Sequence, residues 1–291
     1  MAILQATAER NHAVSRVLGG LLIANIAVVV VKLVVGVGTN SLAVFGDATH
    51  SSVDAVNNIL GLAVMRVASK APDDDHPYGH SKFETLGALL MVVFLSVTIF
   101  ELLRDSIARL RAGPVAPSLT DTDLALLGGT LAVNIWVTWF ETRAGRRLQS
   151  EILLADAAHT RADVLITLAV IGGLMLARGG YAWADPVLAI IVTFLVARIG
   201  LGIVRQSMPT LVDARAMDQT VIQRAAEAIE GVRRAYHIRS RSAANLRFAE
   251  LTIAVDGSEN VEAAHRIADA VEDRLRGDLE FHEIVIHVEP C

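Results

Sequence analysis

Two short segments of the chain carry the same pattern of polar residues within long apolar runs. They are residues 47–54 (DATHSSVD) and 156–163 (DAAHTRAD), and both fit the pattern D-A-x-H-[ST]-x-x-D. In each segment a histidine precedes an aspartate by four residues, about one helical turn, so both side chains project from the same face of a helix. Two such helices facing each other would bring two imidazoles and two carboxylates to one point.

These side chains could bind a divalent metal. The converging residues would be His50, Asp54, His159 and Asp163. Two nitrogen and two oxygen donors at tetrahedral spacing suit Zn²⁺, and the same donors also bind Co²⁺, Fe²⁺ or Mn²⁺. The alternative is that the residues only pack helices or line a wet crevice. Two unpaired aspartates near a bilayer centre would cost about 5–7 kcal/mol, so we predict a metal site.

Asp47 and Asp156 lie seven residues before the acidic members of the two motifs. They could accept hydrogen bonds from the histidines and so orient them. They could equally cap the start of a helix or bond to a neighbouring helix. The sequence leaves both interpretations open.

The composition indicates that these motifs lie in a membrane. Hydrophobic residues make up 53% of the 291 residues and the mean hydropathy is +0.47. Soluble domains average roughly 45–50% even with glycine included. Runs of about 20 apolar residues suit membrane-spanning helices. They predict six spans, of which the second and fifth are interrupted by charges: 16–38, 42–65, 86–103, 121–140, 152–177 and 183–207.

The last third of the chain is more polar and predicts a second domain. We expect a six-helix, all-α membrane domain over residues 1–208 and a small α+β domain over residues 209–291. The second domain follows the order helix, strand, strand, helix, strand, with both helices on one face of the sheet. The predicted inner loops carry nine lysines and arginines against four in the outer loops. This excess favours cytoplasmic termini, and we expect the bacterial inner membrane. The net charge of −5 provides no basic patch for nucleic acid.

With its six spans and paired motifs, the chain resembles the cation diffusion facilitator family of divalent-metal/proton antiporters. The resemblance implies a homodimer whose protomers export metal by alternating access, each with a metallochaperone-like C-terminal domain. It assigns the transport site to the four motif residues named above. Family members with histidine in both motifs commonly select zinc, whereas an aspartate in place of one histidine accompanies iron, zinc or manganese transport. Zinc is therefore favoured here.

The segment that follows the second span adds to the resemblance. Residues 72–84 (PDDDHPYGHSKFE) are similar to the family signature D-D-x-H-x-x-G-H-x-K-x-E. In some members these positions form an accessory metal site, here Asp73, His76 and His80. The alternative is an acidic turn followed by a capping segment for the third span. The resemblance also implies a charge pair between Lys82 and Asp213 at the dimer hinge.

In the C-terminal domain, four residues match positions where family members hold zinc at the dimer interface. They are His237, His265, His287 and Glu289. His287 and Glu289 alternate to one face of a predicted strand. The chain departs from the pattern at Thr252, where some members have histidine, which puts a binuclear site in doubt. Histidines on a soluble domain are also common as surface residues.

The motif chemistry also predicts a transport mechanism. Metal binding requires neutral histidine and ionised aspartate, so loading displaces protons, and histidine titrates near about pH 6.5. Protonation from the far side would then release the metal. We predict a secondary transporter and not an enzyme, with Zn²⁺ as cargo and regulator and Fe²⁺, Co²⁺, Cd²⁺ or Mn²⁺ as alternatives. A metalloenzyme would need an open coordination position, and a sensor would leave the membrane repeat unexplained.

Overall fold

The computed structural model describes residues 2–39, 42–112, 121–181 and 183–291. The described part contains eight helices and three strands. In chain order they are α1 (Ala2–Thr39), α2 (Leu42–Ala68), α3 (Lys82–Ala112), α4 (Asp121–Leu148), α5 (Glu151–Arg178), α6 (Ala184–Leu211), α7 (Gln219–Glu227), β1 (Arg234–Ala243), β2 (Leu246–Val255), α8 (Val261–Leu279) and β3 (Glu283–Pro290). Two compact units are present. One comprises residues 8–207, and the other comprises residues 208–291 with the first residues of α1.

The helices of the first unit confirm the predicted helical membrane domain, but they extend beyond the predicted spans. Helix α1 begins at Ala2 where the span was predicted from residue 16, and α3 ends at Ala112 where the span was predicted to end at 103. Hydropathy marks only the part of a helix that suits a hydrocarbon layer of about 30 Å, whereas a 28-residue helix is about 42 Å long. The helical turns beyond the predicted spans contain the polar residues at the helix ends.

Four of the helices are long and apolar enough, within the described residues, to cross a membrane by length and composition alone. They are Thr7–Val34, Lys82–Arg111, Glu151–Ala177 and Ala184–Leu211. Helices α2 and α4 have 27 and 28 residues, and the first turns of both include side chains outside the described part of the structure. Polar motif residues interrupt α2, and arginines fill the last turns of α4. Helix α5 is among the four apolar helices in spite of its charged motif.

Helix α5 lies at the centre of the membrane unit, where it contacts α2, α3 and α4. A buried cluster joins Leu18 of α1 and Met91 of α3 to Ile152 at the start of α5. Close approach of α4 depends on Gly145, since a Cβ there would lie 2.9 Å from the Cδ2 atom of Leu154. Small residues allow such close helix contacts in membranes. The packing therefore holds the second motif in the protein interior.

The second unit confirms the predicted α+β domain with the order αββαβ. Its sheet has the order β1-β2-β3, with β1 antiparallel and β3 parallel to β2. Helices α7 and α8 pack on one face through a core that includes Ile222, Ile253, Val271 and Leu275. Strand β2 is central and is buried on both sides over most of its length. This explains why its sequence alternates less cleanly than that of an edge strand.

Candidate metal centre

The structure brings three of the four predicted transport ligands together. Asp54 of α2 and both His159 and Asp163 of α5 offer ligand atoms that all lie within 4.8 Å of one another. The Nε2 atom of His159 lies 3.5 Å from Oδ1 of Asp54 and 4.0 Å from Oδ2 of Asp163. The side chains of His159 and Asp163 are 7% and 4% exposed, and that of Asp54 is 24% exposed. The cluster is therefore nearly enclosed, with Asp54 as its most accessible member.

The spacing in this cluster is close to that of a metal site. Ligand atoms about 2.0–2.1 Å from a tetrahedral Zn²⁺ lie about 3.3–3.4 Å apart. Both ring nitrogens of His159 are buried, and neither makes a hydrogen bond with any residue that the structure describes. A buried polar group without a hydrogen bond is unfavourable. A cation between the imidazole and the two carboxylates would satisfy it.

The fourth predicted ligand, His50, belongs to α2 and precedes Asp54 by one helical turn. Its side chain lies outside the described part of the structure, as does that of Asp47. The role of His50 as a ligand therefore stays a prediction.

A polar network beside the cluster links four helices. Asn58 of α2 donates a hydrogen bond to Asp156 of α5 at 2.7 Å, and Asn25 of α1 donates to Asn58 at 2.9 Å. Asp156 could have oriented a histidine, capped a helix or bonded to a neighbouring helix, and the structure shows the bond to a neighbouring helix. Thr160 of α5 donates to the buried Glu141 of α4 at 3.2 Å. These contacts fix how α1, α2 and α4 pack around α5.

Three buried polar residues of the membrane unit were not among the predicted site residues: Lys32, Asn58 and Glu141. Lys32 lies buried in α1 and donates to Ser51 of α2 at 2.8 Å. Ionisable residues within apolar spans are rare and mark functional or pairing sites. That signal points to Lys32, which lies within the first predicted span. Glu141 falls one residue beyond the fourth predicted span and was missed for that reason.

The three loop residues also lie together, between α2 and α3. Asp73, His76 and His80 form the second cluster of ligand atoms within 4.8 Å in the described chain. His80 Nε2 lies 3.4 Å from Asp73, and the His76 ring nitrogen Nδ1 lies 3.3 Å from it. The backbone N–H of His76 donates to Asp73 at 2.7 Å, and this bond lowers the pKa of the Asp73 carboxyl. Because Asp73 and His76 are exposed, the cluster is open to solvent.

The C-terminal residues are only partly brought together within one chain. His287 Nε2 lies 3.4 Å from Glu289 on β3. His265 lies on α8 and faces Asp269 at 3.8 Å, while His237 lies at a break in the register of β1 with φ +51°. Within the described residues, no third ligand joins His287 and Glu289. Thr252 pairs with His287 in the sheet and offers only a hydroxyl at that position.

The two residues predicted to form the hinge pair belong to different compact units. Asp213 forms an ion pair with Arg241 of β1 at 3.7 Å. Its pairing with Lys82 stays a prediction.

A buried ion pair that the motifs did not predict lies beside the turn between α4 and α5. Arg10 of α1 donates two hydrogen bonds to Glu84 of α3, at 2.5 and 3.1 Å. The same guanidinium donates to the backbone carbonyls of Leu148 and Gln149 at 2.9 and 2.7 Å. Ser150, at the N-cap of α5, donates to Glu84 at 2.5 Å. One charge pair thus joins α1 and α3 to the α4–α5 turn, immediately before the helix that carries His159.

Comparison with known proteins decides the family of the chain. The family model described as the cation efflux transmembrane domain matches residues 21–212, and that of the cation efflux protein cytoplasmic domain matches residues 214–291. The chain belongs to the cation efflux family, the cation diffusion facilitators. It is an integral membrane protein that exports divalent metal cations, and the predicted family membership is confirmed.

Three relatives, one from an archaeon and two from bacteria, match this chain over most of their length. The chain is 28% identical to the uncharacterized transporter MJ0449 of Methanocaldococcus jannaschii, with 92% of this chain and 95% of the relative covered. It is 26% identical to the manganese efflux system protein MneP of Bacillus subtilis, with 92% and 93% covered. It is also 26% identical to the cation-efflux pump FieF of Shewanella oneidensis, with 91% and 90% covered.

Proposed function

We propose that the chain exports Zn²⁺ in exchange for protons, by alternating access of one site between α2 and α5. The ligands of that site are His50, Asp54, His159 and Asp163. The observation that carries the proposal is the enclosed cluster of Asp54, His159 and Asp163. Separations of 3.5 and 4.0 Å surround an imidazole that makes no hydrogen bond to the described residues. His50 completes the set because it precedes Asp54 by one helical turn.

The donor types favour zinc over manganese. Imidazole suits Zn²⁺, whereas Mn²⁺ prefers oxygen ligands and octahedral geometry. A site with two histidines and two aspartates is tetrahedral and leaves no position for further oxygens. Manganese is the second candidate, since the related MneP is a manganese efflux protein. Fe²⁺, Co²⁺ and Cd²⁺ share enough of this chemistry to be included in the test.

Proton exchange is proposed from the same chemistry. The site holds a divalent cation only when the histidines are neutral and the aspartates ionised, so metal binding releases protons. Protonation from the opposite side then favours metal release. Transport coupled in this way needs no bond-forming chemistry, so the protein acts as a secondary transporter.

The assembly is part of the proposal. We propose a homodimer with cytoplasmic termini, a domain boundary at residues 208 and 209, and regulatory metal bound by His237, His265, His287 and Glu289. Of these four residues, only His287 and Glu289 lie close together within one chain, while His265 lies on α8 beside Asp269. This separation favours a site whose ligands come from both chains of the dimer. The exposed Cys291, the single cysteine of the chain, allows a topology test. A membrane-impermeant thiol reagent is expected to label it only after intact cells are permeabilised.

The transport proposal is tested by metal flux into proteoliposomes that contain the full-length protein. Initial rates are compared for Zn²⁺ and Mn²⁺, with and without a pH gradient that is acidic on the release side. We expect faster Zn²⁺ flux that rises with the gradient and falls when a proton ionophore collapses it. A Zn²⁺ flux that does not depend on the pH gradient would contradict antiport. A faster flux of Mn²⁺ than of Zn²⁺ would show that manganese, not zinc, is the preferred cargo.

A further inference from the structure

A groove with arginine-rich walls opens on the membrane unit between α4, α5 and α6. It consists of two adjoining cavities of about 340 and 510 Å³, which share Thr142, Arg146 and Arg161. Volumes of roughly 300–1,000 Å³ are typical of sites that bind small molecules. None of the predicted metal ligands lines either cavity.

The charge of the groove is strongly positive. Its walls carry one carboxylate, that of Glu151, against four guanidinium groups: those of Arg143, Arg146, Arg161 and Arg198. None of the four arginines forms a salt bridge with a residue that the structure describes, and Arg161 donates only a 3.4 Å bond to the Thr142 hydroxyl. Guanidinium groups so placed repel a divalent cation and attract an anion. Their planar donors match the oxygens of a phosphate in particular.

The surroundings of the groove indicate a lipid environment. Trp136, Trp139 and Phe140 are exposed on α4, and the Arg143 guanidinium lies 5.8 Å from the centre of the Trp139 ring. Tryptophan is enriched where protein meets the membrane–water interface. Arg143 and Arg146 lie within five residues of the end of α4 at Leu148, which is less than about 8 Å along the helix. In a helix that crosses the bilayer, this is the depth of the polar headgroups.

The walls of the groove also carry apolar side chains. They include Ile135 and Val164 beside one cavity, and Leu154, Ile199 and Ile203 beside the other. A soluble anion would use only the guanidinium groups, whereas a lipid would use both the guanidinium groups and this apolar surface.

We propose that the groove binds an anionic phospholipid, with the headgroup phosphate held by Arg146 and Arg161 and the acyl chains along the apolar walls. Arg143 and Arg198 add positive charge on either side of the phosphate. A lipid bound here joins α4 and α5 to α6, so it stabilises the packing around the helix that carries His159 and Asp163. The inference goes beyond the proposed function and does not depend on which metal is transported.

The experiment measures lipid-dependent thermal stability of the full-length protein in a neutral detergent. The probes are phosphatidylglycerol, phosphatidylcholine with the same acyl chains, and inorganic phosphate at the same concentrations. The variants are Arg146→Gln, Arg161→Gln and the charge-preserving Arg146→Lys. Arg147→Gln is the matched control, because Arg147 is the next residue of α4, is exposed and lines neither cavity.

We expect phosphatidylglycerol to raise the melting temperature of the wild type and of Arg147→Gln, with half-saturating concentrations within twofold of each other. Arg146→Gln and Arg161→Gln are each expected to need about tenfold more lipid, since each loses charge-assisted hydrogen bonds to the phosphate. The half-saturating lipid concentration of Arg146→Lys is expected to lie between that of these two variants and that of the wild type.

Four results would overturn the proposal. Equal stabilisation by phosphatidylcholine would show that the headgroup charge is not recognised, and equal stabilisation by inorganic phosphate would show a site for soluble anions. Equal loss in Arg147→Gln would show only a diffuse surface charge. A change of oligomeric mass in Arg146→Gln, with lipid affinity unchanged, would show that the groove faces a second copy of the chain.

Discussion

Replacement of Glu84 by glutamine tests the buried charge pair that joins α1 and α3 to the α4–α5 turn. Glutamine keeps the size of the side chain but removes the carboxylate that accepts two hydrogen bonds from Arg10 and one from Ser150. The side chains of Arg10 and Glu84 are 10% and 2% exposed. The substitution therefore leaves a nearly buried guanidinium without its counter-charge.

The expected effect follows from that burial. Removing one partner of a buried ion pair destabilises a protein by about 3–5 kcal/mol. Arg10 keeps its bonds to the carbonyls of Leu148 and Gln149, so we expect the lower end, about 3 kcal/mol. For a unit of this size, each kcal/mol lowers the melting temperature by about 2–4 °C, which predicts a decrease of about 6–12 °C.

Intrinsic tryptophan fluorescence is the appropriate assay, because all three tryptophans, Trp136, Trp139 and Trp183, belong to the membrane unit. The control is Asp105→Asn, which removes the charge of an exposed pair with Arg104. The members of that pair are 68% and 57% exposed. Exposed pairs contribute at most about 1 kcal/mol, so the control is expected to melt within about 4 °C of the wild type.

A double variant separates loss of charge from loss of packing. In the double variant Arg10→Met/Glu84→Leu, both charges are replaced by apolar groups. We expect its melting temperature to fall by less than the sum of the decreases for Arg10→Met and Glu84→Leu alone. If Glu84→Gln melts no lower than Asp105→Asn, the pair does not hold these helices together and the reasoning is wrong.

Three further predictions concern other parts of the chain. Gly145→Val places side-chain atoms against Leu154 and is expected to destabilise the membrane unit by about 1–3 kcal/mol in the same melting assay, whereas Gly128→Ala, with nothing within 4 Å, is not. Asp73→Asn is expected to abolish a weak Zn²⁺ equivalent in calorimetric titration that the neighbouring Asp74→Asn retains. Burial, and then the charge of Arg247, lower the pKa of His282, whose Nδ1 accepts from the Arg247 N–H at 3.2 Å. Because the folded state lowers the pKa of His282, the contribution of the neutral imidazole to folding stability is fully present above about pH 6.5. That contribution is lost as the pH falls below this value. Hydrogen-exchange protection of the Arg247 amide, corrected for the intrinsic rate, is therefore expected to weaken between pH 7.5 and 5.5 in the wild type but not in His282→Gln.

The parts of the site that depend on local spacing could be predicted from the sequence. His159 and Asp163 share a face because they are one helical turn apart, and the repeated motif predicted that Asp54 would meet them. The order αββαβ of the C-terminal domain followed from periodicity in the same way. Hydropathy located the helices, but it did not locate their ends, because the terminal turns are polar.

Contacts between distant helices could not be predicted in this way. The Arg10–Glu84 pair joins residues 74 positions apart, and its geometry depends on how the helices rotate about their axes. Hydropathy carries no information about that rotation within a span that is apolar on all sides. Glu141 lies one residue beyond the fourth predicted span, and its contact with Thr160 likewise depends on how α4 packs on α5.

The most direct test of the transport site is the Zn²⁺ flux of Asp163→Asn in proteoliposomes with a pH gradient. Asp163 is the least exposed member of the cluster, and asparagine keeps its shape while removing the charge that we propose binds the cation. We expect flux to fall to the background of protein-free liposomes, while oligomeric mass and melting temperature match those of the wild type and Asp105→Asn keeps wild-type flux. Wild-type Zn²⁺ flux in Asp163→Asn would contradict the assignment of this cluster as the transport site.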